Sequence, residues 1–68
     1  MPITYKKLFY LLVERRLSGA KLAEMSGVAQ STITKLRRDE VVTTEVIDKI
    51  CAALDCQPGD IMERITED

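Results

Sequence analysis

The chain has 68 residues, room for a single domain spanning 1–68, and a domain of this size buries only about 60 % of its unfolded surface. Hydrophobic residues make up 46 % and charged residues 31 %, with both signs mixed, which argues against disorder. There is no His or Trp and only one Phe and two Tyr, so the core is expected to be aliphatic and no imidazole is on hand for catalysis. The net charge of −1 hides a split: residues 1–38 hold eight basic and two acidic side chains, net +6, and residues 39–68 hold two basic and nine acidic, net −7. Such a division suits one face turned to a polyanion and another turned away from it.

Pro2 and Thr4 precede a first helix expected from about Tyr5 to Arg15, with Thr4 as its N-cap. Its core face is Tyr5, Leu8 and Leu12, with Leu11 at the edge. The run L-F-Y-L-L-V would also suit a buried strand, but no turn signal separates it from K-K before or E-R-R after, so helix is preferred. Ser18 caps a second helix, Gly19 to Met25, which Ser26-Gly27 ends, because glycine stops a helix in the left-handed conformation at little steric cost. A third helix runs from about Gln30 to Arg38. Ala29 stands at its N-cap and cannot cap, which leaves that role to Gln30, Ser31, Thr32 or a phosphate. After the loop 39–43, Thr44 caps a fourth helix whose stripe is Val46, Ile47, Ile50, Cys51 and Leu54. Pro58 is placed to open a fifth helix, with Asp60 reaching back to free N–H groups and Ile61, Met62 and Ile65 as its apolar face. The tail 66–68 is expected to fray.

The stretch from about 18 to 38 organises the rest. Leu22 and Ala23 on one short run, and Ile33 and Leu36 on the next, bury little alone. Packed steeply across the turn at Gly27, with Val28 tucked beneath, they share one small core, which is the sequence form of a helix-turn-helix. Ala23 is small where the helices cross. Gln30, Ser31, Thr34, Lys35 and Arg38 fall on the outer side of the second of these helices. Each donates hydrogen bonds and none is acidic.

Cys51 and Cys56 match neither a zinc-ligand spacing nor a C-x-x-C pair; Cys51 reads as a small core hydrophobe, and a bridge between them is not expected. No metal-ligand cluster, phosphate loop or serine with a neighbouring base is present, so neither a catalytic residue nor a cofactor is expected and the chain does not read as an enzyme. The apolar run at Leu8–Val13 is too short for a signal or membrane span, which points to the cytoplasm.

With these residues in place, the chain resembles the phage-repressor-like (Cro/cI-type, XRE-like) helix-turn-helix DNA-binding family, small single-domain branch, over roughly Lys7 to Ile65. The matching pieces are L-x-x-x-L at Leu8 and Leu12, L-S-x-x-x-L-A at Leu17 to Ala23, G-V-x-Q-S-T-I at Gly27 to Ile33, K-L at Lys35 and Leu36, and I-C-x-A-L-D-C-Q-P-G-D-I at Ile50 to Ile61. The resemblance implies an all-α, compact five-helix, lambda-repressor-like domain whose third helix enters the DNA major groove. Carried over by position, Gln30 and Ser31, and one turn later Thr34 and Lys35, would read bases, while Ser18 and Gly19 would meet the phosphate backbone. The chain departs from the family at Ser26, at Ala29, at Gly19, which leaves only a backbone N–H there, and at Asp39-Glu40, where Gly-Lys is common.

The chemistry of the residues fits that reading. Gln30 can pair bidentately with adenine and Lys35 can donate to guanine, each contact worth about 1–3 kcal/mol of discrimination. Arg37 and Arg38 suit phosphates, or else salt bridges with Asp39 or Glu40; Thr32 lies at the helix edge, near a phosphate or its own turn. Phe9, Tyr10 and Val13 are either extra core or an exposed homodimer interface, as a two-fold operator would require, and the interface reading is preferred; Met62 and Ile65 offer the other possible interface. The sequence thus predicts a transcriptional regulator, a repressor of double-stranded DNA sites. The alternative is a protein-interaction module, an antitoxin-like or anti-repressor subunit with a protein partner on the first helix.

Overall fold

Four segments carry apolar residues at three- and four-residue steps, and in the computed structural model, which describes residues 3–65, each is a helix. After a short strand β1 (Ile3–Thr4) come α1 (Lys6–Glu14), α2 (Gly19–Ser26), α3 (Gln30–Arg37) and α4 (Thr44–Leu54). A single 3-10 turn (Pro58–Asp60) and a strand β2 (Glu63–Arg64) follow. The two strands pair antiparallel, Ile3 with Arg64 and Thr4 with Glu63.

The core is one aliphatic cluster. Leu8, Leu22, Ile33, Leu36, Ile50, Leu54 and Ile61 are fully buried, with Tyr5, Leu12, Val28, Ile47 and Cys51 nearly so. Each of the large ones contributes about 1.5–3 kcal/mol by leaving water. Helix α2 lies at the centre, packed on both α3 and α4. The stripes expected on α1 and α4 are the ones buried, with Leu11 and Val46 half-buried at the edges.

The fold is helical, but it does not contain the expected fifth helix: among the described residues there are four α-helices. Pro58 does open a turn, and Asp60 Oδ2 accepts the Gln57 N–H at 2.9 Å, the reach-back anticipated. The turn then stops, because Gly59 and Asp60 are poor helix formers and a better use of the backbone is near. With Ile61 sunk into the core, the chain extends so that Glu63 and Arg64 pair with β1. Met62 is half-buried and Ile65 exposed. The expectation for residues 66–68 lies outside the described residues, as does Pro2.

Helix ends differ by a residue or so. The N-cap of α4 is Thr43, not Thr44: its hydroxyl accepts the Val46 N–H at 3.4 Å. At α1 the N-cap position belongs to Tyr5, not Thr4, and its backbone N–H donates to Asp39 Oδ1 at 2.9 Å. Buried Thr4 donates its hydroxyl to the same oxygen at 3.3 Å and accepts the Lys6 N–H at 3.3 Å. A carboxylate just past the end of α3 therefore takes the N–H of the residue that caps α1, and the Thr4 hydroxyl it holds takes the next one. At the other end, α1 and α4 close alike without glycine. Arg16 (φ 57°) and Asp55 (φ 52°) are left-handed, and the next residues fold back, Leu17 N–H to Leu12 O at 2.8 Å and Cys56 N–H to Cys51 O at 3.0 Å.

Candidate nucleic-acid interface

The α2–turn–α3 unit is built by local chemistry. Ser18 caps α2 by accepting the Lys21 N–H at 3.0 Å. Gly27, at φ 75°, stops it in the left-handed region, and a side chain would be strained there. Ser26 is polar for a reason the sequence alone did not give. Its hydroxyl donates to Leu22 O at 2.7 Å and accepts the Val28 N–H at 3.2 Å, so it ties the end of α2 to the turn. Val28, Ile33 and Leu36 then fix one side of α3 in the core.

That anchoring turns the other side outward. Gln30, Ser31, Thr34 and Lys35 are all exposed, as are Arg37 and Arg38, while Thr32 is half-buried. The Thr34 hydroxyl donates to Gln30 O at 3.2 Å, so its proton is spent within the helix and lone pairs and a methyl group face out. Ala29 stands at the N-cap with extended backbone, and no side chain caps α3. The free N–H groups at its start remain directed at whatever approaches.

The basic residues are held in different ways. Arg15 donates to Leu54 O and so closes α4. Lys7 donates to Gly59 O at 3.1 Å and lies 4.0 Å from Glu63, tying α1 to the C-terminal turn. Lys21 and Arg38 sit 3.9 Å from Glu24 and Glu40, with all four side chains exposed; such pairs are worth little. Lys35 and Arg37 enter no ion pair among the described residues. The Arg37 guanidinium carbon instead lies 4.5 Å above the centre of the Phe9 ring.

Two surfaces flank α3. Thr32 and Lys35 border a shallow groove of about 220 Å³ with Val41, Val42, Thr43 and Val46. Val41, assigned no role by its sequence, is 72 % exposed beside it. On α1, Tyr10 and Val13 are 70 % and 74 % exposed. Phe9 is half-buried against the core beneath Arg37, so it is a less open surface than its neighbours. Away from α3, burial pushes the Cys51 thiol up to about 11, with neighbouring Cys56 adding to the effect. No described helix is long and apolar enough to cross a membrane.

The sequence matches a family model, described as the Cro/C1-type HTH DNA-binding domain, over residues 7–67. The uncharacterized HTH-type transcriptional regulator YozG of Bacillus subtilis (strain 168) is 34 % identical over 55 residues, or 78 % of this chain. The match spans 66 % of that relative's length, a little under two thirds. In three dimensions the chain is similar to the transcriptional regulator VanUg in its crystal form II, with a TM-score of 0.88 and 39 % identity over 97 % of this chain and 88 % of that one.

Proposed function

The chain belongs to the Cro/C1-type helix-turn-helix family of DNA-binding domains, a DNA-binding class and not an enzyme class, and on that premise we propose that it is a sequence-specific transcriptional repressor acting in the cytoplasm as a homodimer. The observation that carries this reading is the outer face of α3. Gln30, Ser31, Thr34 and Lys35 are exposed together, and the core holds the helix from the opposite side. In the major groove Gln30 pairs with adenine and Lys35 with guanine. Thr34, its proton spent on Gln30 O, accepts from adenine N6 or cytosine N4, or packs its methyl on thymine; Ser31 either donates or accepts.

Ser18, the Gly19 N–H, Thr32, Arg37 and Arg38 meet phosphates and set the register. Arg38 leaves its exposed pair with Glu40 at little cost. The two-fold contact lies on the α1 face of Tyr10 and Val13, with Phe9 at its margin, and residues 1–68 act as one domain.

The test is selection from a randomised duplex pool, followed by anisotropy titrations at two salt concentrations. An enriched inverted repeat, with binding lost in Gln30→Ala or Lys35→Ala, is expected. Weak binding with a salt slope and no enriched site would refute sequence reading. A partner protein bound through Tyr10 and Val13 would support the interaction-module alternative instead.

A further inference from the structure

Arg37 differs from every other basic side chain near α3 in being held without being neutralised. Its guanidinium lies 4.5 Å above the Phe9 ring, and no described carboxylate or carbonyl takes its donors. A guanidinium held by a ring face spends no N–H on another residue, and those donors form a planar fork suited to two phosphate oxygens.

Space around it is reserved as well. A Cβ on Gly19 would stand 3.0 Å from Arg37 Nη2 and 3.3 Å from Ile33 Cγ2. Gly19 is buried at the first position of α2 with ordinary helical backbone. Glycine is therefore not needed there for conformation; the guanidinium, with the Ile33 methyl beside it, takes the room that a side chain would fill. Lys6 borders a groove of about 300 Å³ with Phe9, Tyr10 and Arg37. Asp39 also lines it, but its Oδ1 accepts from Tyr5 N–H and the Thr4 hydroxyl.

We propose that Phe9, Gly19 and Arg37, from three helices, form one device that presents the Arg37 fork to a single phosphate of the DNA backbone, with Phe9 as the shelf and Gly19 as the clearance. Phe9 is then a positioning residue that touches no DNA. The inference rests on the DNA-binding reading above. It deepens that reading by explaining why one arginine is aimed while its neighbour Arg38 is loosely paired.

The experiment is a double-mutant cycle on the full chain. Anisotropy with a fluorescein-labelled random duplex pool, over a salt series, compares wild type, Phe9→Leu, Arg37→Gln and the double variant. Gly19→Ala is added, with Lys49→Gln on α4 as control. Arg37→Gln should flatten the salt slope by about one unit per protomer. Phe9→Leu should weaken binding about threefold, the order expected for losing an exposed cation–π contact, and have no effect once Arg37 is Gln. Gly19→Ala, which crowds Ile33 as well as the guanidinium, should weaken binding in wild type but not in the Arg37→Gln background.

In the unbound protein, the Arg37 side-chain protons should show a ring-current shift that Phe9→Leu abolishes. Additive effects of Phe9 and Arg37, or a Phe9→Leu variant that changes oligomeric state without coupling to Arg37, overturn the shelf role. Wild type that binds while Arg37→Gln matches it in affinity and slope overturns this proposal alone. Wild type that binds no duplex overturns the DNA reading with it.

Discussion

Asp39 is the residue whose removal tests the architecture most directly. Its Oδ1 holds the Tyr5 N–H at 2.9 Å and the Thr4 hydroxyl at 3.3 Å, and its own backbone is left-handed at φ 55°. Asp39→Asn keeps an acceptor and a residue that tolerates that conformation, and loses only the charge beside the start of α1, worth about 0.5–1 kcal/mol. Asp39→Ala loses the charged hydrogen bonds, about 1.5–3 kcal/mol, and adds left-handed strain of about 1 kcal/mol. Asp39→Gly loses the same bonds but relieves the strain, so it falls between. For a domain of this size about 1 kcal/mol moves the midpoint by roughly 4–8 °C. Thermal unfolding followed by circular dichroism should therefore show Asn about 5 °C below wild type, Gly about 13 °C and Ala about 20 °C. Alanine and asparagine variants of equal stability would refute the cap, and glycine below alanine would refute the strain. Because Asp39 follows directly on Arg37 and Arg38, the loss also loosens the end of α3 that carries them.

Three further outcomes are expected. Ala29→Ser, at an uncapped extended position, should gain about 0.5–2 kcal/mol in urea unfolding; no gain would show that the N–H groups opening α3 are already satisfied. Arg15→Met should lower stability, because the Leu54 carbonyl that closes α4 loses its donor; a loss of about 1–3 kcal/mol is expected, against almost none for exposed Arg16→Met. The Cys51 thiol, raised by burial from its ordinary 9.0 to about 11, and the Tyr5 phenol, raised by burial and then by Asp39, both favour the neutral form when folded. Their contribution is full below pH 9 and is lost as pH climbs toward 11. Urea midpoints across that range should fall, and fall less in Cys51→Ala; a wild type insensitive to this range would contradict the burial.

Contacts between neighbours in sequence were legible and distant ones were not. The Ser18 cap, the Gly27 stop and the stripes of α1 and α4 each depend on residues three or four apart, so a one-dimensional reading finds them. Asp39 serving α1 and Arg15 serving α4 join positions 34 and 39 residues apart. No local pattern announces them, and both side chains read as surface charge. The missing fifth helix has the same origin: Pro58 and Asp60 are good helix openers, and the competing partner of Glu63 and Arg64 lies at the far end of the chain. At the interface the outward set on α3 followed from periodicity once Ile33 and Leu36 were taken as core. Phe9 looked like surplus apolar surface because the arginine over it comes from another helix.

The pairing of β1 with β2 bears on the order in which this molecule assembles. Ile3 and Arg64 are 61 positions apart, so joining them closes a loop of almost the whole chain, whereas the α2–α3 contact closes one of a few residues. Loop-closure entropy rises with length, and two residues per strand return little until the helices between them have docked. The strands are therefore expected to join last in folding and to part before the helices separate. Hydrogen exchange at Thr4 would report that local opening, while Ile50, fully buried at the centre of α4, would exchange only through global unfolding.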